Sequence, residues 1–279
     1  MSSIAASPDS SLASRLVPIL TLAQRELQRF FRQRSRLIGA LGQPLVFWLL
    51  FGAGFQGSFR MAGGGAEASA MSFQEYFLPG AAMMIVLFSS IFATISVIQD
   101  RNEGFLQGVL VSPIPRMSFV LGKLLGGTAL ALLQAMLFLL VAPALQFVGL
   151  APAMSWGLGL GQWIGVALFL AITAFGLTGF GFLFAWKLDS IQGFHAIMSD
   201  LLMPMWLVSG AFFPAPASGW LRYVILANPL SYGLAGMRRI MSPGSAWSEL
   251  PSLGMCVFVT VLFGAVCLAT ATWMTRRAD

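Results

Sequence analysis

Ionisable side chains are rare within the apolar stretches of this sequence, and Asp200 is the one that stands out. His195 and Ser199 precede it in the same stretch. A carboxylate inside a membrane segment is costly and usually functional, so Asp200 could relay protons in a gradient-driven transporter. Solvation near the surface, or pairing with Lys187, is the plainer interpretation. The three neighbours are too close along one helix to form the nucleophile, base and orienting acid of a hydrolase.

Motifs for nucleotide hydrolysis and metal binding are absent from the sequence. The P-loop pattern GxxxxGK[ST] fails, because Gly122-Lys123 is followed by Leu124. Cys256 and Cys267 have no histidine or second cysteine at metal-ligand spacing, and they are predicted to act as small packing residues. We therefore predict no catalytic site, no metal and no directly bound cofactor. Energy for any transport would come from a separate polypeptide or an ion gradient.

The composition is that of an integral membrane protein. Apolar residues make up 57% of the chain and charged residues only 9%, whereas soluble domains carry roughly 25% charged residues. The mean hydropathy is +0.82. These values exclude an ordinary soluble enzyme, a disordered chain and a disulfide scaffold. The apolar stretches do not alternate as lipid-facing strands do, so we predict an all-α fold, in which each helix satisfies its own backbone in lipid.

Stretches without Asp, Glu, Lys or Arg mark the candidate spans, since a bilayer core takes about 20 helical residues. The stretch 124–186 holds two spans, with a break near Pro143, Gly149 and Pro152. A disordered tail at 1–14 is expected before them. Six spans are predicted within a transmembrane domain over 37–275, with these bounds: 37–59, 76–99, 119–147, 157–186, 194–213 and 252–274.

The basic residues predict the orientation of the chain. With both termini in the cytoplasm, four of the 16 Lys and Arg residues fall outside: Arg60, Arg222, Arg238 and Arg239. This bias agrees with the positive-inside rule. The formal charge of +6 is therefore a topology signal, and no nucleic-acid partner is predicted.

Residues 15–36 predict an amphipathic helix at the membrane interface. Its apolar arc contains Leu16, Leu20, Ala23, Leu27, Phe30 and Phe31. The opposite face contains Arg25, Arg29, Arg32 and Arg36. The apolar arc is expected in the acyl boundary and the arginine face toward anionic headgroups or the cytosol. The helix is either an anchor or, in addition, a docking face for a cytoplasmic partner.

The cytoplasmic loop after the second span has an unusual apolar ridge. A helix over about 100–116 is predicted, ended by Ser112-Pro113. Its ridge is formed by Phe105, Leu106, Val109 and Leu110. Such a helix suits insertion into a groove on another protein, and a tight turn lying on the membrane is the alternative.

The outer region and the small residues predict two further features. Asn228 suits a helix N-cap with Pro229 at the first helical position, so a re-entrant helical hairpin is expected over about 217–241. It would form an exit gate or a structured outer cap. Gly122 and Gly126, like Gly176 and Gly179, have spacings that allow close helix packing, within the chain or at a dimer seam.

Several motifs together resemble the permease subunits of type-2 ABC exporters, which are membrane subunits of bacterial drug, polysaccharide and lipid exporters. The first motif combines Arg101, Glu103-Gly104, Leu106, Leu110, Ser112-Pro113 and Gly122-Lys123. The second is PMWLVSGAFFP at 204–214, followed by Asn228-Pro229-Leu230-Ser231-Tyr232 and Arg238. In order and spacing the resemblance covers about 15–275. Phe105 and Gln107 depart from it, standing where Thr and Glu are frequent.

The resemblance implies partners and a mechanism. Two cytoplasmic P-loop ATPase subunits would use ATP and Mg, and a second permease copy, identical or homologous, would complete the pore. The coupling helix at 100–116 would contact the ATPase through these residues: Arg101, Glu103, Gly104, Phe105, Leu106, Val109, Leu110, Ser112 and Pro113. The chain would lie in the plasma membrane of a bacterium, the inner membrane if Gram-negative.

The resemblance also implies a pathway for an apolar or amphipathic substrate, such as a drug, lipid or glycan. It places the seam between copies on the first and fifth spans. Residues expected to line the pathway or its gate are Gln43, Pro44, Trp48, Asn228, Pro229 and Tyr232. A proton-coupled transporter that uses Asp200 is the alternative function.

Overall fold

The computed structural model describes residues 12–32, 34–55, 72–112, 114–151, 158–212, 219–242 and 250–277, and regular structure within these ranges is entirely helical. The predicted all-helical class is confirmed. In chain order the helices are α1 (Leu12–Phe31), α2 (Arg34–Phe55), α3 (Phe73–Ala93), α4 (Ile95–Asn102), α5 (Phe105–Val111), α6 (Arg116–Ala144), α7 (Leu160–Lys187), α8 (Ile191–Trp206), α9 (Trp220–Ala227), α10 (Pro229–Met241) and α11 (Leu253–Arg276).

Four helical segments in the described part of the chain are long and apolar enough to cross a membrane. They are Phe73–Asn102, Arg116–Val148, Leu160–Lys187 and Leu253–Arg276. The first combines α3 and α4, which are separated only at Thr94. The other two predicted spans coincide with α2, whose apolar part is Leu41–Phe55, and with α8. The count of six spans stays a prediction.

Helix α3 lies at the centre of the bundle and contacts α2, α6, α7, α8 and α10. A capping box begins it: the Ser72 hydroxyl accepts from the Glu75 N–H at 3.2 Å, and the Glu75 carboxylate accepts from the Ser72 N–H at 2.9 Å. Most of the following residues are buried. Both faces of α3 therefore belong to the core.

Small residues allow two pairs of helices to approach closely. A Cβ at Gly126 of α6 would lie 2.8 Å from Glu26 Cβ of α1, and one at Gly179 of α7 would lie 2.8 Å from Cys267 Cβ of α11. Both contacts lie within one chain. Of the two roles that the sequence left open for these residues, the structure places them in packing between helices of one copy.

The predicted helix over 100–116 is wrong, because the structure divides it into three parts. Helix α4 ends at Asn102, α5 contains only Phe105–Val111, and Arg116 already begins α6. Gly104 has a φ of 77°, a left-handed conformation that suits glycine, so the chain turns there. Pro113 lies outside the described residues.

The predicted interfacial helix over 15–36 is two helices. Helix α1 ends at Phe31 and α2 begins at Arg34, so Arg36 belongs to α2. A helix that lies along the membrane surface must end before the chain can enter the bilayer. In the region predicted to lie outside, α9 and α10 meet at Asn228, whose Oδ1 accepts from Leu230 N–H at 3.0 Å.

Candidate functional site

Asp100 lies at the centre of a buried group of charges where α1, α4 and α6 meet. Lys123 Nζ lies 2.6 Å from Glu26 Oε1 and 3.1 Å from Ser96 Oγ, and it also donates to Asp100. The Asp100 side chain is 0% exposed and that of Lys123 is 2% exposed. A buried charge is tolerated only when it is paired, so these groups hold the three helices in one arrangement.

Two arginines of α1 complete the group. Both terminal nitrogens of Arg25 donate hydrogen bonds to the Asp100 carboxylate, at 2.9 and 3.0 Å. Arg29 donates to Asp100 at 2.9 Å and to both oxygens of Glu103 at 2.8 Å. Burial lowers the pKa of Arg25, but the hydrogen bonds and negative charge of Asp100 outweigh it, and the pKa is raised above its usual value.

The charges of this group balance. We call it the ion-pair cluster, and its members are Arg25, Glu26, Arg29, Asp100, Glu103 and Lys123. The side chain of Glu103 is 56% exposed, whereas that of Asp100 is fully buried, so the cluster runs from the interior to the surface. It connects the interior of the bundle to the turn between α4 and α5.

We expected the arginine face of α1 to point toward headgroups or the cytosol. The structure shows that part of this face points into the bundle instead. Arg25 and Arg29 turn inward because Asp100, at the end of α4, offers a fixed negative charge. Arg32 is exposed, and the side chain of Arg36 lies outside the described residues. On the predicted apolar arc, Leu20 is 63% exposed and free to meet lipid.

The apolar ridge of α5 is only partly available to a partner. Leu106 is buried in the core of the chain, and the ring of Phe105 lies 3.8 Å under the Arg25 guanidinium carbon. Val109 packs partly against the same core. Val111 is 86% exposed instead. Burial removes Leu106 from the predicted binding face, because an apolar pattern does not distinguish the chain's own core from another protein. Contact of the other ridge residues with a partner stays a prediction.

The remaining predicted coupling residues have local roles. Arg101 donates to Asp189 Oδ1 at 2.7 Å and to the carbonyl of Trp186, so it fastens the end of α4 to the α7–α8 connection. The Ser112 hydroxyl donates to the Val109 carbonyl at 2.7 Å and closes α5. The side chain of Leu110 lies outside the described residues. Contact of any of these with an ATPase stays a prediction.

A cavity of about 390 Å³ adjoins the ion-pair cluster. Helices α1, α2, α3, α4, α6 and α8 line it. Glu26 and Arg29 border both the cavity and the cluster, so the two features share a wall. Ser89 and Gln134 form a hydrogen-bonded pair elsewhere on its lining.

Some of the predicted pathway residues line the cavity in the structure and others do not. Gln43 and Pro44 line the cavity. Trp48 does not: it is fully buried, and its indole N–H donates to the Gln74 carbonyl at 3.0 Å. The Asn228 amide donates to the Met205 carbonyl at 2.6 Å. Pro229 begins α10 and Tyr232 is buried in it, and a gating role for these residues stays a prediction.

Asp200 is exposed on α8 and does not line the cavity. Among the described residues it forms no ion pair with Lys187, so pairing, one of the two plainer interpretations, is wrong, and its exposure is compatible with the other. His195 does line the cavity, and its ring centroid lies 4.7 Å from that of Phe92.

Sequence reasoning missed Asp100, Glu26 and Gln134 as site residues. Asp100 looked like the polar end of a span, and Glu26 lies beside the arginine face. A signal was present for one of them, because Gln134 is a carboxamide in the middle of a long uncharged stretch.

A helical bundle with four apolar segments long enough to cross a bilayer is that of an integral membrane protein. The chain belongs to the ABC-2 type transporter family, whose model matches residues 18–242. The resemblance to type-2 ABC permeases is thereby confirmed.

Curated relatives carry permease names. A "Putative transport permease ycf38" of Cyanophora paradoxa is 27% identical over 249 residues, covering 88% of this chain and 81% of the relative. A "Probable doxorubicin resistance ABC transporter permease protein DrrC" of Mycobacterium tuberculosis (strain ATCC 25618 / H37Rv) is 25% identical over 278 residues, covering 98% and 94%. A "Daunorubicin resistance ABC transporter permease protein DrrB1" of Streptomyces coeruleorubidus is 22% identical over 256 residues, covering 88% and 82%.

Proposed function

We propose that this chain is the membrane-spanning permease of an ATP-driven exporter, which moves an apolar or amphipathic substrate and couples to two separate P-loop ATPase subunits. The observation that carries the proposal is the ion-pair cluster. It ties the α4–α5 turn to α1 and α6, beside a cavity that these helices line. A force applied at the turn would therefore reach the cavity wall.

The α5 helix supplies the surface for the ATPase. Val111 is 86% exposed, Gln107 and Gly108 are exposed beside it, and Glu103 is half-exposed at the turn. ATP and Mg would be used by the partner subunits. Because Arg29 holds Glu103 and Arg101 holds Asp189, a displacement of the turn would move α1 and the α7–α8 connection together.

The remaining parts of the proposal rest on the family and its relatives. Two relatives are named for doxorubicin and daunorubicin resistance, which supports an amphipathic drug-like substrate. In this proposal the chain has six spans, both termini in the cytoplasm of a bacterium, and a second permease copy against its first and fifth spans. A proton-driven mechanism through Asp200 is less well supported, because Asp200 lies away from the cavity.

Affinity purification of the full chain from its native membrane tests the proposal. We expect a P-loop ATPase to co-purify with the wild type, and Val111→Asp to lower its recovery at least tenfold, because a carboxylate would be buried in the contact. The matched control is Val148→Asp, since Val148 is 71% exposed beyond the other end of α6. The proposal fails if the chain purifies without an ATPase, or if both variants retain it equally.

A further inference from the structure

The cavity is lined by a deeply buried polar group with bonding capacity left over. Gln134 lines it in the middle of α6 and is 2% exposed. The Ser89 hydroxyl donates to its carbonyl oxygen, and no other described residue forms a hydrogen bond with its carboxamide. A carboxamide has two polar ends, an oxygen and an NH₂ group. Ser89 occupies one end, so the other is left to the cavity.

A polar group in an apolar interior is unfavourable when it has no partner. Whichever way the amide is turned, Ser89 can pair with one end, because a hydroxyl both donates and accepts. The free end then needs a hydrogen-bonding atom from the occupant of the cavity. Gln43 of α2 lines the same cavity, but it is exposed, so only the buried Gln134 carries this penalty.

The other walls favour an aromatic occupant without a strong charge. Phe88 and Phe92 line the cavity with ring centroids 5.8 Å apart, and Phe30 of α1 lines it as well. The two charged residues at its border, Glu26 and Arg29, are already paired within the ion-pair cluster. The cavity therefore offers ring surfaces and hydrogen bonds, with no uncompensated charge from these two groups. Its volume of about 390 Å³ lies within the range of sites for drug-sized molecules.

We propose that the cavity binds an uncharged aromatic molecule that carries carbonyl or hydroxyl oxygens, and that Gln134 selects for those oxygens. This inference rests on the proposed transport function and names the substrate class of the same cavity. Aromatic hydrocarbons of the same size would fill the space but leave the Gln134 amide without a partner. The discrimination is thus made by one side chain that the ion-pair cluster does not contain.

The test compares two probes on the full chain in lipid nanodiscs, without ATPase. The probes are a dihydroxyanthraquinone and anthracene, which share the three-ring frame and differ in oxygens. We expect the wild type to bind the dihydroxyanthraquinone about tenfold more tightly, the value of one hydrogen bond near its upper range. Gln134→Met keeps the shape of the side chain and should abolish the difference while leaving the Kd for anthracene unchanged. Gln192→Met is the matched control, because Gln192 is exposed and does not line the cavity.

Each other outcome overturns the inference. If the wild type binds the two probes equally, or binds neither, the cavity does not select for oxygens and the inference is wrong. A loss for both probes in Gln134→Met means that the residue only supports the fold. If Gln134→Met does not fold, Gln134→Asn replaces it in the test. Asparagine keeps the amide but is one methylene shorter, so the amide is withdrawn from the cavity. This variant must also lose the preference for the dihydroxyanthraquinone. Because no ATPase is present, failure of the exporter proposal shows separately, in the co-purification experiment.

Discussion

At the scale of single residues, Lys123 is the most informative position. Its ammonium group pairs with Glu26 and Asp100, both of which are buried. Removal of one partner from a buried ion pair costs about 3–5 kcal/mol, because the remaining charge is uncompensated. Lys123→Met should therefore lower the free energy of unfolding by about 3–5 kcal/mol, measured by denaturation of the purified chain in detergent. Lys187→Met, at an exposed lysine, should change it by less than about 0.5 kcal/mol.

Charge balance can be separated from packing at the same position. Lys123→Met combined with Glu26→Gln restores equal numbers of positive and negative groups in the ion-pair cluster. The double variant should recover more than half of the lost stability. If the double variant loses as much free energy of unfolding as the two single variants added together, the lysine acts through its shape, and the argument from charge balance is wrong.

Single residues also show what the sequence could not predict. Arg25 and Arg29 were identified as one face of a helix, but their direction depends on Asp100, which is far away in the chain. Periodicity locates a charged face and does not say which opposite charge will meet it. The Gln134 carboxamide was visible in an uncharged stretch, yet its role required the Ser89 contact and the cavity.

At the scale of helices, the approach of α1 to α6 depends on Gly126. A Cβ at this position would lie 2.8 Å from Glu26 Cβ and 2.9 Å from Glu26 Cγ, so Gly126→Ala must displace α1. We expect amide hydrogen exchange in residues 12–32 to become at least tenfold faster, while exchange in α11 is unchanged. Gly161→Ala is the control, because a Cβ there meets nothing within 4 Å. Unchanged exchange in 12–32 would mean that α1 is held by other contacts.

Helices were predicted more accurately than the connections between them. Long uncharged stretches located the central parts of α3, α6, α7 and α11, since hydropathy determines which segments suit the membrane. The turn at Gly104 was missed because a glycine can continue a helix or end it, and only its φ of 77° shows which occurs. The inward direction of Leu106 likewise depends on what α5 packs against.

At the scale of the whole molecule, an apolar bundle and a family-level resemblance could be inferred from the sequence alone. The motif at 100–123 and the NPLSY element identified the family that the comparison then showed. The cavity could not be inferred, because its walls come from six helices separated along the chain. Its position beside the ion-pair cluster is what links the α4–α5 turn to a place where a substrate could bind.

The energy source is a property of the assembled molecule, and Asp200 separates the two mechanisms. In inverted membrane vesicles that contain the chain and its co-purified ATPase, an ATP-driven exporter should accumulate the dihydroxyanthraquinone only when ATP is hydrolysed. Asp200→Asn should keep more than half of that rate, because the residue lies outside the cavity and the ion-pair cluster. A nonhydrolysable ATP analogue is the control. Uptake that needs no ATP, stops when a protonophore is added and is lost in Asp200→Asn would establish proton coupling instead, since a buried proton relay depends on an ionisable group that asparagine lacks.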